Sequence, residues 1–117
     1  MKAKNFALGA LFVAAVLLVS SSAWAGKRPN PYRGKTVYIA SCKVCHVKDG
    51  GAAVLTPMSK TQGQWDRFFE NEKKLGACVD RAAEKTGTKL TEQDLANMRF
   101  FLWSHAADSD QPETCGQ

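Results

Sequence analysis

Several features that define other classes of protein are missing from this sequence. It has no alternating runs of β-branched residues and no internal repeats, which argues against a β-sheet protein and a repeat protein. It also has no low-complexity tract. Apolar residues recur at helical spacing instead. We therefore expect an all-α fold in a single small domain.

A hydrophobic run long enough to cross a membrane is also missing. The apolar run from Phe6 to Val19 has 14 residues, whereas a spanning helix needs roughly 20. Two lysines precede this run and Ala23-Trp24-Ala25 follows it, which is the pattern of a secretory signal peptide with its cleavage site. We expect residues 1–25 to be removed, leaving no membrane span, and residues 26–117 to form one domain in the periplasm or otherwise outside the cytoplasm. A retained anchor is the alternative.

The sequence has little excess charge and no arginine-rich run with interleaved aromatic residues. Removal of Lys2 and Lys4 from the 16 basic side chains leaves an excess of three over the 11 acidic ones. The remaining Lys and Arg residues are scattered, as on a solvated surface. We therefore expect no nucleic acid partner.

Cysteine is present in a pattern that its number alone does not explain. Four cysteines in an exported chain would ordinarily form two disulfides. Cys42 and Cys45, however, belong to the sequence Cys42-Lys43-Val44-Cys45-His46, which is the C-x-x-C-H signature of haem attachment. This assignment leaves Cys78 and Cys115 as the expected disulfide pair.

The spacing of the C-x-x-C-H motif has a mechanical reason. Residues three apart lie on one face of a helical turn, so both thiols can reach the two vinyl groups on one edge of a porphyrin. His46 follows directly and can offer an imidazole nitrogen to the iron. We therefore predict one covalently bound haem c, tethered by Cys42 and Cys45, with His46 as an axial iron ligand.

Three other interpretations of the motif fit the sequence less well. A thioredoxin-like redox pair needs a β-α-β frame, which is not apparent. A zinc site needs a second pair of ligands, and Cys78 and Cys115 are far apart. A disulfide between Cys42 and Cys45 would leave His46 as a coincidence.

Three helices are predicted around this motif. The first runs from Gly34 to Cys45 after an extended, proline-containing arm, and its glycine predicts the close crossing of another helix. The second covers Gln64 to Lys74, and Gly76 and Gly87 are expected to interrupt the segment after it. The closing helix runs from Thr91 to about Ser104; Thr91 caps it with Asp94 three residues later, and its buried face comprises Leu95, Met98, Phe101 and Leu102.

With these features the chain resembles the class I cytochromes c. The resemblance rests on Gly34 and Tyr38 before the motif, on the motif itself, on Pro57 and Trp65, and on the closing helix. It implies a small helical domain wrapped around one haem. It also implies that the Pro57 carbonyl orients His46 by accepting the proton of its ring nitrogen. Trp65 is expected in the core, with a hydrogen bond from its indole to a haem propionate as the alternative.

The chain departs from the family at the second axial position of the iron. Class I cytochromes usually supply a methionine before the closing helix, and the segment 76–89 has none. Met58 and His105 are the candidates we retain for this sixth ligand. Met98 is expected in the core, and Cys78 is a further candidate because a thiolate can ligate haem iron, although we expect it in the disulfide.

These features predict an electron carrier rather than an enzyme, with redox donor and acceptor proteins as its partners. The missing methionine supports an alternative, in which an open or labile iron position binds a small gas ligand or reacts with peroxide. A third hypothesis is a redox subunit docked on a larger respiratory complex, for which the basic residues Lys27 and Arg28 are weak support.

Overall fold

The computed structural model describes residues 27–113, which form four α-helices and one short 3₁₀ turn. The helices are α1 (Pro31–Ser41), α2 (Gln62–Glu70), α3 (Glu72–Thr86) and α4 (Glu92–Ser104), and the 3₁₀ turn is Pro57–Ser59. The described range contains no strand, so the prediction of an all-α fold is confirmed. The predicted signal peptide and Cys115 lie outside the described residues.

Helix α1 begins three residues earlier than predicted. The side chain of Asn30 accepts a hydrogen bond from the Arg33 backbone N–H and caps the helix, and Pro31 occupies the first helical position. Proline is favoured there because its fixed φ suits a helix and its missing N–H would have no helical partner. The helix ends at Ser41, and residues 42–45 follow as a turn rather than as helix.

Helices α1 and α4 cross closely at Gly34, as the sequence predicted. A Cβ atom on Gly34 would lie 2.0 Å from the backbone oxygen of Asn97, so only glycine allows this approach. One turn further on, the rings of Tyr38 and Phe101 pack with their centroids 5.8 Å apart. The side chain of Asn97 closes the crossing by accepting the backbone N–H of Asn30 at 2.9 Å.

The middle of the chain differs from the prediction of one helix followed by interruptions. Helix α2 ends at Glu70, and the next residue, Asn71, caps α3 by accepting the Lys74 N–H with its side chain. Gly76 lies inside α3 and does not interrupt it. Gly87 ends α3 with a φ of 71°, the left-handed conformation that glycine adopts without a steric penalty.

Helix α4 confirms the predicted capping pattern. The Thr91 hydroxyl accepts the Asp94 N–H, and the Asp94 carboxylate accepts the Thr91 N–H, each at 3.1 Å. The helix contributes its predicted apolar face to the core, although Leu95 is only partly buried. The buried cluster comprises Tyr38, Trp65, Phe69, Met98, Phe101, Leu102 and Ala106. Among the described residues, no helix has the length and apolar character needed to span a bilayer.

Candidate haem site

One cavity lies between the motif turn and helices α2, α3 and α4. Its volume is about 320 Å³, within the range of roughly 300 to 1,000 Å³ that is common for small-molecule and cofactor sites. The two motif cysteines and His46 line one wall. The remaining lining is predominantly apolar and includes Leu55, Trp65, Phe68, Phe69, Leu75, Leu90 and Leu102.

Backbone hydrogen bonds extend the helical pattern of α1 into the motif turn. The Cys42 N–H continues the helical pattern by donating to the Tyr38 carbonyl at 2.9 Å, and the His46 N–H donates to the Cys42 carbonyl at 3.0 Å. The chain therefore makes one more turn beyond α1, although with less regular geometry. Cys42 and Cys45 both line the cavity.

The Cys42 thiol is held in its protonated form in the absence of a bond to another group. Burial, with smaller contributions from the nearby thiols of Cys78 and Cys45, raises the pKa of Cys42 to about 12. These neighbouring thiols raise the pKa of Cys42 because a negative charge on Cys42 would be repelled by a negative charge on either of them. The Cys42 Sγ also lies 3.4 Å from the Met98 Sδ. Three cysteines therefore share one electrostatic environment.

His46 is oriented by a loop that folds back over the motif turn. Its Nδ1 lies 2.7 Å from the Ala53 carbonyl oxygen, and the Leu55 N–H donates to the His46 carbonyl at 3.2 Å. The loop turns sharply because Asp49 has a left-handed φ of 64° and Gly50 lies close to Cys45. When Nδ1 donates to a carbonyl, the other ring nitrogen, Nε2, keeps a lone pair that can bind a metal.

Pro57 differs from its expected role. Its carbonyl accepts the indole N–H of Trp65 at 2.9 Å, whereas the carbonyl bonded to His46 is that of Ala53. The physical reason is the path of the loop, which brings Ala53 to the imidazole before the chain reaches the 3₁₀ turn. Trp65 is fully buried in the cavity wall, and its indole N–H is donated to Pro57 rather than left for a haem propionate.

The two retained candidates for the sixth ligand lie away from the cavity. Met58 is 39% exposed in the 3₁₀ turn, and His105 ends α4 with its Nδ1 2.7 Å from the Gln111 carbonyl oxygen. Neither is among the described residues that line the cavity. Met98, expected in the core, is buried and also forms part of the lining.

Cys78 also lines the cavity, and it belongs to α3 rather than to the motif turn. Its side chain is exposed and its thiol is free in the described part of the chain. The disulfide with Cys115 stays a prediction, because Cys115 lies outside the described residues.

Sequence reasoning missed the partner of His46 and the polar link at the helix crossing. The Ala53 carbonyl is a backbone group, so no residue type marks it in a sequence. Asn97 lies within the apolar pattern of α4 and is buried at the helix crossing, where its side chain accepts hydrogen bonds from the Asn30 backbone N–H and, at 3.0 Å, from the Gln93 side chain. Its position one residue before Met98 offers no periodic signal for such a role.

Comparison with known proteins agrees with this geometry. The family model described as Cytochrome c matches residues 32–106. No curated protein and no solved structure matches the chain. Two thiols on one turn, an imidazole with a free nitrogen and an apolar cavity form a donor set that suits haem c. The chain belongs to the cytochrome c family, and it is a haem-binding electron-transfer protein with covalently bound haem c.

Proposed function

We propose that this protein is an exported monohaem electron carrier in which Cys42 and Cys45 tether the haem and His46 ligates the iron through Nε2. The observation that carries the proposal is the joint placement of these three side chains on one wall of the cavity. Bound haem c supplies reversible one-electron chemistry at its iron. The protein residues attach and orient the group and exclude water from it.

The fixed orientation of His46 supports this role. A hydrogen bond from Nδ1 to the Ala53 carbonyl fixes the tautomer and increases the electron-donating strength of Nε2. Because the acceptor is a backbone group within a closed loop, the ring is held by the fold rather than by a mobile side chain. A ligand that stays in place in both oxidation states keeps the reorganisation small on electron transfer.

The apolar lining supports the same role from the other walls. Trp65, Phe69 and Leu102 are buried and contribute to both the core and the cavity. Few polar groups face the cavity, so little water has to reorient when the charge of the iron changes. A site of this kind suits electron transfer to and from redox partner proteins more than catalysis on a bound substrate.

Export is the second part of the proposal. The support is the sequence pattern of residues 1–25, together with the covalent mode of haem attachment, which retains the cofactor outside the cell's recovery systems. Expression of the full chain with a haem-attachment system should yield a mature protein that begins at Gly26 and is found in the periplasmic fraction. Intact-mass measurement of the purified protein checks the cleavage site, and an unprocessed chain in the membrane fraction would contradict it.

His46→Ala tests the assignment of the axial ligand. We expect the variant to lose the low-spin ferric and ferrous spectra, because the iron loses its fixed nitrogen ligand. His105→Ala is the matched control, since His105 is the other histidine and does not line the cavity. It should keep the native spectrum and midpoint potential.

The outcome that defeats the proposal is a His46→Ala protein with native spectrum and potential. Carbon monoxide binding to the reduced wild-type protein separates the electron carrier from the alternative of a ligand-binding haem. Slow or absent binding is expected for a carrier. Rapid binding would favour the alternative.

A further inference from the structure

Helix α3 presents one face to the cavity, and Cys78 lies near its middle. Six residues of α3 line the cavity, and four of them, Leu75, Cys78, Val79 and Ala82, follow the i, i+3, i+4 and i+7 spacing of one helical stripe. Leu75 and Ala82 lie about one turn before and after Cys78. The thiol is therefore the polar group at the centre of an otherwise apolar stripe.

Few side chains that line the cavity can ligate iron. Besides the motif cysteines and His46, the described lining residues with a ligating atom are Met98 and Cys78. Met98 is unsuitable by position, because its Sδ lies 3.4 Å from the Cys42 Sγ. That Cys42 sulfur becomes a thioether at the rim of the porphyrin, whereas the iron is at the centre. Met98 therefore packs beside the rim.

The candidates outside the cavity are engaged elsewhere. The imidazole of His105 packs on Phe101 with ring centroids 5.2 Å apart, and its Nδ1 is within hydrogen-bond distance of the Gln111 carbonyl oxygen. Met58 belongs to the 3₁₀ turn that begins at Pro57, and the Pro57 carbonyl accepts a hydrogen bond from the Trp65 indole. Either side chain would need a rearrangement of its segment to reach the cavity.

We propose that the Cys78 thiolate is the second axial ligand of the haem iron, on the side opposite His46. This inference rests on the proposed function, since it assumes the haem attached at Cys42 and Cys45. Coordination forms one bond between iron and Sγ; the thiol proton passes to solvent, and no electron is transferred. Arg81, three residues further along α3 and in the same cavity lining, places a positive charge beside the anionic ligand.

A disulfide between Cys78 and Cys115 is incompatible with this ligation, because it would occupy the same sulfur. The two assignments of Cys78 therefore exclude each other, and the variants and the mass measurement below distinguish them.

The test uses the full-length ferric holoprotein and its electron paramagnetic resonance spectrum. Wild type should show low-spin iron with the signature of thiolate ligation. Cys78→Ala should lose that signature, become high-spin and gain carbon monoxide binding in the reduced state. Cys115→Ala is the matched control and should keep the wild-type spectrum, and mass measurement without reductant should find no disulfide.

A second variant keeps the test decisive if Cys78→Ala does not accumulate. Cys78→Met replaces the thiolate by a neutral thioether, so the iron should stay low-spin while the midpoint potential rises. A thiolate favours the ferric state more than a thioether does, which fixes the direction of this shift.

Three results would overturn the inference. These are a wild-type spectrum without thiolate character, an unchanged spectrum in Cys78→Ala, and an intact disulfide between Cys78 and Cys115. Failure of the proposed function is distinguishable from these, because it appears as a wild-type protein without covalent haem or as a native spectrum in His46→Ala.

Discussion

The two walls of the cavity are built differently. On one side, α1 and the motif turn are locked to α4 by the contact at Gly34 and by the buried side chains of Tyr38 and Asn97. On the other side, α3 buries Ala82 alone among its fifteen residues and carries Gly76 with no neighbouring atom near its Cβ position. This packing makes the first wall the rigid one, whereas most side chains of the second wall are exposed or only partly buried. This difference predicts that substitutions in the first wall cost more stability than substitutions in the second.

Gly34→Ala should have the largest effect on stability, because it disrupts the close crossing of α1 and α4 in the rigid wall. A Cβ atom there would meet the backbone oxygen and carbon of Asn97 at 2.0 and 2.6 Å, and backbone atoms cannot rotate away. We expect a loss of about 3 kcal/mol or more in the free energy of unfolding. Urea denaturation followed by circular dichroism measures it.

If Gly34→Ala unfolded at the wild-type urea concentration, the close crossing of α1 and α4 would be wrong. The haem content of the purified variant gives a second readout. It should fall, because the crossing positions the turn that carries Cys42 and Cys45.

Tyr38→Phe should have an intermediate effect on the same wall. The Tyr38 hydroxyl donates to the Leu55 carbonyl, and its loss leaves that partly buried acceptor unpaired. We expect a cost of about 1 kcal/mol at pH 7. Tyr32→Phe is the control, since Tyr32 is exposed.

The same tyrosine makes the stability of the wild-type protein sensitive to alkali. Burial, with smaller contributions from Cys42 and Glu113, raises the pKa of Tyr38 to about 12, against an ordinary value of 10 in the unfolded chain. The folded state therefore holds the phenol proton between pH 10 and 12 while the unfolded state releases it. This contribution to stability is complete below pH 10 and is lost as the pH rises towards 12.

The advantage of wild type over Tyr38→Phe should accordingly narrow between pH 10 and 12. Urea denaturation of both proteins at pH 7 and pH 11 checks this direction. A constant difference between them would show that the Tyr38 proton is not linked to folding.

Gly76→Ala should have the smallest effect, and in the opposite direction. The position is helical and nothing in the described structure lies within 4 Å of its Cβ site, so alanine gains helix propensity without a clash. We expect stability to increase by roughly 0.5 to 1 kcal/mol. The midpoint of thermal unfolding measures it, and a decrease would mean that α3 packs against another surface at this point.

The rigid wall was also the more predictable one. Gly34, the C-x-x-C-H spacing and the box between Thr91 and Asp94 are local patterns, and each specifies its geometry within a few residues. The prediction of the crossing at Gly34 and of the cap at Thr91 is confirmed. The predicted start of α1 at Gly34 was wrong because Asn30 and Pro31 form an earlier start signal.

The α3 wall was less predictable, for a physical reason. The predicted interruption at Gly76 was wrong because a single glycine costs a helix only about 1 kcal/mol, which the caps at Asn71 and Gly87 can offset. The sequence resemblance predicted the Pro57 carbonyl as the partner of His46, whereas the structure has the Ala53 carbonyl. A sequence does not reveal the path of the loop that decides between them. Which ligating side chain faces the cavity depends on that same tertiary information.

The His46 imidazole is oriented by the main-chain oxygen of Ala53. This orientation therefore does not depend on which amino acid occupies position 53. Every amino acid at position 53 supplies the same carbonyl, so replacement of the alanine side chain leaves the acceptor in place. The number of residues between His46 and Ala53 is what matters, since adding or deleting one would carry the oxygen away from the ring. Natural variation that retains a working haem should therefore appear in this loop as changes of residue rather than changes of length.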